Sequence, residues 1–389
     1  MSEYRIVVVG AGAAGNAAAR TLARAGVDLE VHLVAETDTP PYNRTLVNKG
    51  VVAGLIEPDM AALPHPEGAT LSHDSAVAID ADRAVVTLES GMVLRFDAAI
   101  VATGSAPRRL DPDTPGLAGA VTTGRVHTLH SMTDARRVRD LTRSVSGPAR
   151  IILLGAGLLA AETSALLRQD GHDVTLVARS VLPGATVFGA TIAAELAALH
   201  REHAATHFGR EPRSFAVDDT SVTITLDDGT RIHGDLAVVS MGTVPTAPEL
   251  PGSADGVAVD DRLRHLALPA IYAAGGVAVH QGVDGTTYRV DHWDDASAQG
   301  THAALALVHD LGWGDDPGPY RPRSGYVSRV YDATLSGAGH VGVGTTERVV
   351  AQSPPLAVHE RADGVPTGVV GLNAGSEVRA WASRLHTRG

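Results

Sequence analysis

The sequence predicts an α/β fold: two parallel-sheet domains covered by helices, then a small α+β domain at the end of the chain. Three observations carry that expectation. An order of apolar run, glycine-rich turn, helix and second apolar run occurs twice, starting at Arg5 and again at Arg150. Each copy leads on to strand-like runs around a tight turn, Glu89-Ser90-Gly91 in one and Asp227-Asp228-Gly229 in the other, and then to a buried-strand run. Hydrophobic residues make up 44% of the 389 and charged ones 20%, with aromatics at only 4%, so the core is aliphatic and suits close helix-on-sheet packing.

Taken in order, residues 5–9 read as a strand, 10–15 as a glycine turn, 16–25 as an Ala-rich helix stopped by Gly26, and 29–34 as the second strand. Short strands follow at 76–79, 84–88 and 93–96, and a buried one at 98–102. The second copy gives a strand at 150–154, a glycine turn at 155–160, a helix at 162–169 stopped by Gly171, and a strand at 174–177. Runs at 221–226, 231–233 and 235–240 repeat the hairpin and the buried strand. A further strand at 270–274 precedes a helix from about residue 294 to 311, and the Gly-, Asp- and Pro-rich stretch 312–322 leads into the tail. The resulting domains are 1–115 with 247–320, then 116–246, then 321–389.

Each glycine loop sits between a strand and a helix, the context in which such loops hold a dinucleotide. In the first, Gly10 permits the tight turn, Gly12 lets the backbone approach a pyrophosphate, and Ala14 and Gly15 lie where helix and strand pack closely. Glu36, after the second strand, is placed to accept ribose hydroxyls. In the second loop Gly155, Gly157 and Leu159 occupy the equivalent places, and Ala160 stands at the third glycine position. Its second strand runs into Arg179 instead of an acid, and a cation there favours NADPH over NADH.

The chain has no cysteine. Structural disulfides, zinc–thiolate sites, protein-ligated iron–sulfur clusters and cysteine nucleophiles are thereby excluded, so redox chemistry must run on a bound cofactor. A net charge of −12 argues against nucleic-acid binding. The longest apolar run, 151–161, is shorter than the roughly 20 residues of a membrane helix. The N-terminal run carries Glu3 in place of a basic region and reads as a first strand instead of a signal peptide, which sets the expected location as cytoplasmic. His200, His203 and His207 have helical spacing without a carboxylate in a ligand pattern, so no metal site is expected. Arg136, Arg137, Arg139 and Arg143 form a basic helix face, which reads first as solvated surface and second as a steering patch for an acidic protein.

Across nearly its whole length the chain resembles the FAD-dependent NAD(P)H:ferredoxin reductases of the rubredoxin- and putidaredoxin-reductase type. These belong to the pyridine nucleotide-disulfide oxidoreductase superfamily but lack redox cysteines. The resemblance rests on GAGAAG with Glu36, PPYNRTLVNKG, VATGSAPRRL, GAGLLAAE, VVSMGTVP, IYAAGG and VDHWDDASAQG. It implies FAD and NADPH or NADH as cofactors and a ferredoxin-type acceptor. It sets Arg44 and Lys49 against the flavin, with Glu162 as the acid that pairs with Lys49. A held cation there stabilises negative charge developing during transfer. The resemblance also brings Thr103 and Gly104 past the FAD pyrophosphate, Gly242 to the return from the nicotinamide domain, and His292 and Trp293 to the flavin edge.

Two departures qualify it. Relatives usually read Gly-Asp where this chain has Gly275-Gly276, and that aspartate accepts hydrogen bonds from the flavin's ribityl chain. Losing one charge-assisted bond costs about 1.5–3 kcal/mol unless a neighbour such as Asp284 or Asp291 replaces it. The tail reads Gly325-Tyr326-Val327-Ser328-Arg329-Val330-Tyr331-Asp332 where relatives carry an aromatic segment with Trp, which opens the flavin face and leaves the acceptor undetermined. Two other readings stand beside the reductase: a flavoenzyme acting directly on a small metabolite, and a non-redox nucleotide-binding protein of the same fold.

Overall fold

The computed structural model describes residues 4–36, 40–282, 285–342 and 344–387. The chain forms two compact units. The first comprises Met1–Asn43, Ala62–Ala106 and Val244–Ser324; the second comprises Arg44–Ala61, Pro107–Thr243 and Gly325–Gly389. The short segment carrying Arg44 and Lys49 therefore clusters with the second unit, as does the tail.

In the first unit five parallel strands lie in the order Ile271–Ala273, Ala98–Val101, Tyr4–Val9, Leu29–Ala35 and Ala69–His73. Their central members are unbroken aliphatic runs because both faces are covered; Ile6, Val8, Ala99, Ile100 and Val101 are fully buried. Val9 pairs with Val34 on one side and Val101 on the other, so three strands end level and their following loops share one edge. The helices Ala13–Ala23 and Trp293–Asp310 pack on each other. Their approach is set at Gly300, where a Cβ would overlap the Ala14 carbonyl oxygen. The predicted hairpin strands appear as the antiparallel sheet Ala76–Asp80, Val85–Leu88 and Val93–Arg95.

The second unit repeats the plan with strands in the order Ala205–Phe208, Asp173–Ala178, Arg150–Leu154, Leu236–Val239 and Val126–Thr128, all parallel. Ser131 and Asp134 form a reciprocal cap at the start of the helix Met132–Ser144. Within that helix Arg139 is drawn inward to Glu57, at 3.3 Å, while Arg136 and Arg137 stay exposed. Pro212–Val217 adds a third strand to the Val222–Leu226 and Arg231–Gly234 hairpin. It opens on a proline and a register shift, so it shows little strand signal in sequence. The tail is a five-stranded antiparallel sheet in the order Gly325–Val330, Ala333–Gly339, Pro366–Leu372, Pro355–Glu360 and Thr346–Gln352, with the helix Gly375–Ala382. Among the described residues no helix is long and apolar enough to cross a membrane.

Of the three histidines at helical spacing, His207 falls instead on the strand Ala205–Phe208, while His200 and His203 lie on the helix Ala190–His203 and have packing roles. His200 is buried with its Nδ1 2.9 Å from the Tyr331 hydroxyl, and the His203 ring stacks on Tyr331 at 4.3 Å. Burial pushes the His200 ring down to about 4, with His203 adding to the shift, and burial does the same to His280 in the first unit. An unfolded histidine titrates near 6.5. As pH falls from 6.5 to 4 the unfolded chain binds protons that the folded rings refuse, so their stabilisation is full above 6.5 and is lost across that window. Stability measured by urea unfolding should drop by about 2 kcal/mol per ring between pH 7.5 and 5.0, and His200→Gln should flatten the slope. Gly300→Val should destabilise the first unit by about 1–3 kcal/mol through overpacking, read from the same unfolding curves.

Candidate functional site

The Gly10–Gly15 loop follows the Tyr4–Val9 strand at the carboxyl edge of the first sheet. Gly10 has φ +100°, its N–H donates to Val34 O at 2.8 Å, and a Cβ there would overlap the Ala102 carbonyl. A Cβ at Gly15 would overlap the Gly10 carbonyl, so the first helix turn folds directly onto the loop. Gly12 caps this helix and is the opposite case, since a Cβ there would meet nothing within 4 Å. The helix start has no side-chain cap and no acid in its first turn, which leaves its N–H groups and dipole for an anion. Ala14 is buried beneath the loop, and Glu36 stands exposed just after the Leu29–Ala35 strand.

The neighbouring strand ends bring in the other first-unit residues. Thr103 donates its hydroxyl to the Thr246 carbonyl, and the Gly104 carbonyl accepts from Thr246 N at 3.2 Å, so this stretch is knitted to the returning chain. Gly275 has φ +79°, packs against Ala14, and donates its N–H to Gln299 Oε1 at 2.8 Å. Gln299 is itself held by buried Asp295 at 2.7 Å. Gly276 is buried, and its carbonyl accepts from Arg289 Nε and Nη2 at 2.9 and 2.6 Å. A Cβ at Gly276 would overlap the Asp291 carboxylate, whose other oxygen accepts from Ser105 Oγ at 2.8 Å. Asp284 lies outside the described residues. His292 caps the Trp293–Asp310 helix; both residues are half-buried, and burial pushes the His292 ring below its ordinary pKa.

The second unit builds a matching cradle. Gly155 has φ +124°, with the Ser240 carbonyl where a Cβ would stand, and Gly157 caps the Leu158–Gln169 helix with nothing within 4 Å of a Cβ. That helix also lacks a side-chain cap and a first-turn acid. Leu159, in the first turn of this helix, is half-buried. Arg179 is exposed immediately after the Asp173–Ala178 strand and has no hydrogen-bond or ion-pair partner among the described residues. Gly242, at φ +84°, accepts from Arg108 N at 2.9 Å.

Four more residues of this unit gather at Glu162. Its carboxylate is 9% exposed and accepts from Asn48 Nδ2 at 2.9 Å and Ser328 Oγ at 2.7 Å. Lys49, on the π-helical turn Val47–Val52, places Nζ 3.4 Å from Glu162 Oε1 and donates to Val327 O at 2.8 Å. Thr163 Oγ1 in turn donates to Asn48 Oδ1 at 3.1 Å. The anion is thus satisfied by two neutral donors and faces one ammonium that keeps 43% of its side chain exposed. Such an arrangement holds a cation in a fixed place while leaving one side of it accessible. Arg44, on the same segment, lies 3.0 Å from His130 Nε2 and joins no contact of this cluster.

Asn48 and Ser328 are the functional candidates that sequence reasoning missed. Asn48 directly precedes Lys49, yet nothing in the sequence marks its amide as aimed at a carboxylate far along the chain. Ser328 is one serine in a strand whose register the tail does not reveal.

The pattern of the pyridine nucleotide-disulphide oxidoreductase family matches residues 4–300, a span that includes both cradles and Glu162. The chain belongs to that family. This member has no cysteine, so the thiol chemistry in the family's name is not available to it. It is 26% identical to the ferredoxin–NAD(+) reductase component of the biphenyl dioxygenase system of Paraburkholderia xenovorans, covering 98% of this chain and 93% of that one. It is 29% identical to the 5,5'-dehydrodivanillate O-demethylase ferredoxin reductase subunit of Sphingobium, covering 91% and 85%. Among solved structures, the ferredoxin reductase for the CYP199A2 system of Rhodopseudomonas palustris superposes with a TM-score of 0.84 at 24% identity, covering 98% and 94%. An engineered water-forming NADPH oxidase, bound to NADPH and derived from the Lactobacillus brevis NADH oxidase, superposes with a TM-score of 0.79 at 22% identity, covering 98% and 91%.

The Glu162 cluster sets an expectation for stability. Asn48→Ala or Ser328→Ala removes one donor from a buried carboxylate and should destabilise the second unit by about 1.5–3 kcal/mol, measured as a lowered urea midpoint. An unchanged midpoint in both variants would mean that water reaches the carboxylate and replaces the lost donors.

Proposed function

We propose that the protein is an FAD-dependent NAD(P)H:ferredoxin reductase, with FAD in the first unit's glycine cradle and the nicotinamide nucleotide in the second. The observation that carries this reading is the pair of uncapped helix starts, each with a glycine open to the outside, in a chain whose curated relatives are ferredoxin reductases over nearly their full length. When bound, FAD would supply the redox chemistry, which couples a two-electron donor to a one-electron acceptor.

The chain's own residues are proposed to do the following. Gly10, Gly12 and Gly15 let the backbone come close to the FAD pyrophosphate, and Glu36 accepts from the adenosine ribose. Gly155 and Gly157 do the same for the nicotinamide nucleotide. Lys49, held by Glu162 and Val327 O, stabilises negative charge developing on the flavin during transfer. Asn48 and Ser328 fix the carboxylate that fixes the lysine. The cytoplasm, where NAD(P)H is made and consumed, is the compartment this reading assigns.

NADPH is the proposed donor. Arg179 offers a guanidinium with no partner among the described residues at the end of the strand where the adenosine ribose is read. The engineered NADPH-bound oxidase carries three consecutive substitutions to Ala, Arg and Ser, and this chain reads Ala178-Arg179-Ser180.

Anaerobic titration of the FAD-loaded protein with each nucleotide tests the electron path. NADPH should bleach the flavin band near stoichiometry; a band that neither nucleotide bleaches would overturn the proposal. Arg179→Ala should raise KM for NADPH about tenfold or more, the loss of at least about 1.4 kcal/mol of binding, and leave KM for NADH nearly unchanged. Equal effects on both would remove Arg179 from the phosphate site.

A further inference from the structure

Three loops meet at the carboxyl edge of the first sheet, because the strands Ile271–Ala273, Ala98–Val101 and Tyr4–Val9 are adjacent and parallel. They are the Gly275–Val277 turn, the Thr103–Ser105 stretch and the Gly10–Gly15 loop. In parallel α/β sheets this edge receives the ligand. The contacts bear the meeting out: a Cβ at Gly275 would lie 3.1 Å from the Ala14 Cβ, and one at Gly276 would lie 3.3 Å from the Ser105 Cβ.

The Asp291 carboxylate reaches the place where these loops meet from outside all three. Asp291 Oδ1 stands where a side chain at 276 would begin, and Asp291 Oδ2 accepts from Ser105 Oγ at 2.8 Å. Arg289, two residues earlier, is anchored on the Gly276 carbonyl through two nitrogens and lies 3.5 Å from the same Asp291 oxygen. The carboxylate is therefore fixed in place by a hydroxyl and a guanidinium, yet the Asp291 side chain remains 36% exposed. Gly276 lies within the negative-φ range that every residue can adopt, so no backbone conformation demands glycine there; the space taken by Asp291 does.

From this geometry we infer that Asp291 is a ligand-binding residue of the first cradle, accepting hydrogen bonds from hydroxyl groups of the dinucleotide's polyol or sugar, and that Gly276 is the vacancy this carboxylate fills. The inference rests on the proposed FAD site and deepens it. A carboxylate beside a helix start that already holds a pyrophosphate would repel a further phosphate, so its partners are hydroxyl donors.

The test uses the full chain stripped of flavin and titrated with FAD, followed by quenching of flavin fluorescence, with NADP+ affinity and the unfolding midpoint measured alongside. Asp291→Asn keeps the shape and removes the charge; it should weaken FAD binding about ten- to a hundredfold with NADP+ affinity unchanged. Gly276→Asp alone places two carboxylates in one space and should weaken it at least as much. The double variant Gly276→Asp/Asp291→Gly moves the acid to the other position and should recover most of the wild-type affinity. FAD affinity of Asp291→Asn within twofold of wild type would overturn the inference and leave the proposed function standing. A wild-type chain that takes up no FAD while binding NADP+ would overturn both.

Discussion

Two carbonyl groups, of Ala102 and Ser240, pass through the space that a side chain at Gly10 or Gly155 would occupy. Each of these glycines is the first residue after its strand and has a positive φ that L side chains rarely adopt. These close approaches let the chain turn at once from strand to helix, so the helix begins at the sheet edge with its first N–H groups uncovered. A single methyl at either place would push the helix start away from the edge, and the anion site would go with it. Everything proposed for binding depends on this absence of two Cβ atoms.

Much of the architecture was legible because it rests on local chemistry. The strand Leu29–Ala35, the helix Trp293–Asp310 and both glycine loops lie close to where apolar runs and glycines put them. The helices Ala13–Ala23 and Leu158–Gln169 begin three and four residues earlier than sequence reading sets them, since the helical turn starts inside the glycine loop. The tail was legible only as a mixed domain. Its central strand Pro366–Leu372 is buried throughout and gives no alternation, and the exposed Thr346–Gln352 strand has few apolar residues facing inward.

The site divides the same way. Gly12, Gly157 and Arg179 are recognisable from position in a repeated motif, whereas Asn48 and Ser328 reach Glu162 across long stretches of chain and carry no signature of their own. Gly276 shows the difference well. In sequence it is a missing acid with Asp284 or Asp291 as candidate replacements; in three dimensions the Asp291 carboxylate stands in its empty space, a choice that adjacent residues leave open. The basic helix face behaves likewise, because Glu57 takes up Arg139 from a segment distant in sequence and leaves Arg136, Arg137 and Arg143 as the outward charges.

Glu162 draws its two neutral donors from opposite directions along the chain, Asn48 lying 114 residues before it and Ser328 lying 166 after. A ribosome that has finished both glycine loops has therefore still not delivered the last partner of this carboxylate. Until the strand Gly325–Val330 is made, Lys49 lacks its carbonyl acceptor and Glu162 lacks its hydroxyl. The maturing chain thus completes both glycine loops before Lys49 can be oriented, and Ile192 and Leu196 of the helix Ala190–His203 likewise wait for the tail strands that cover them.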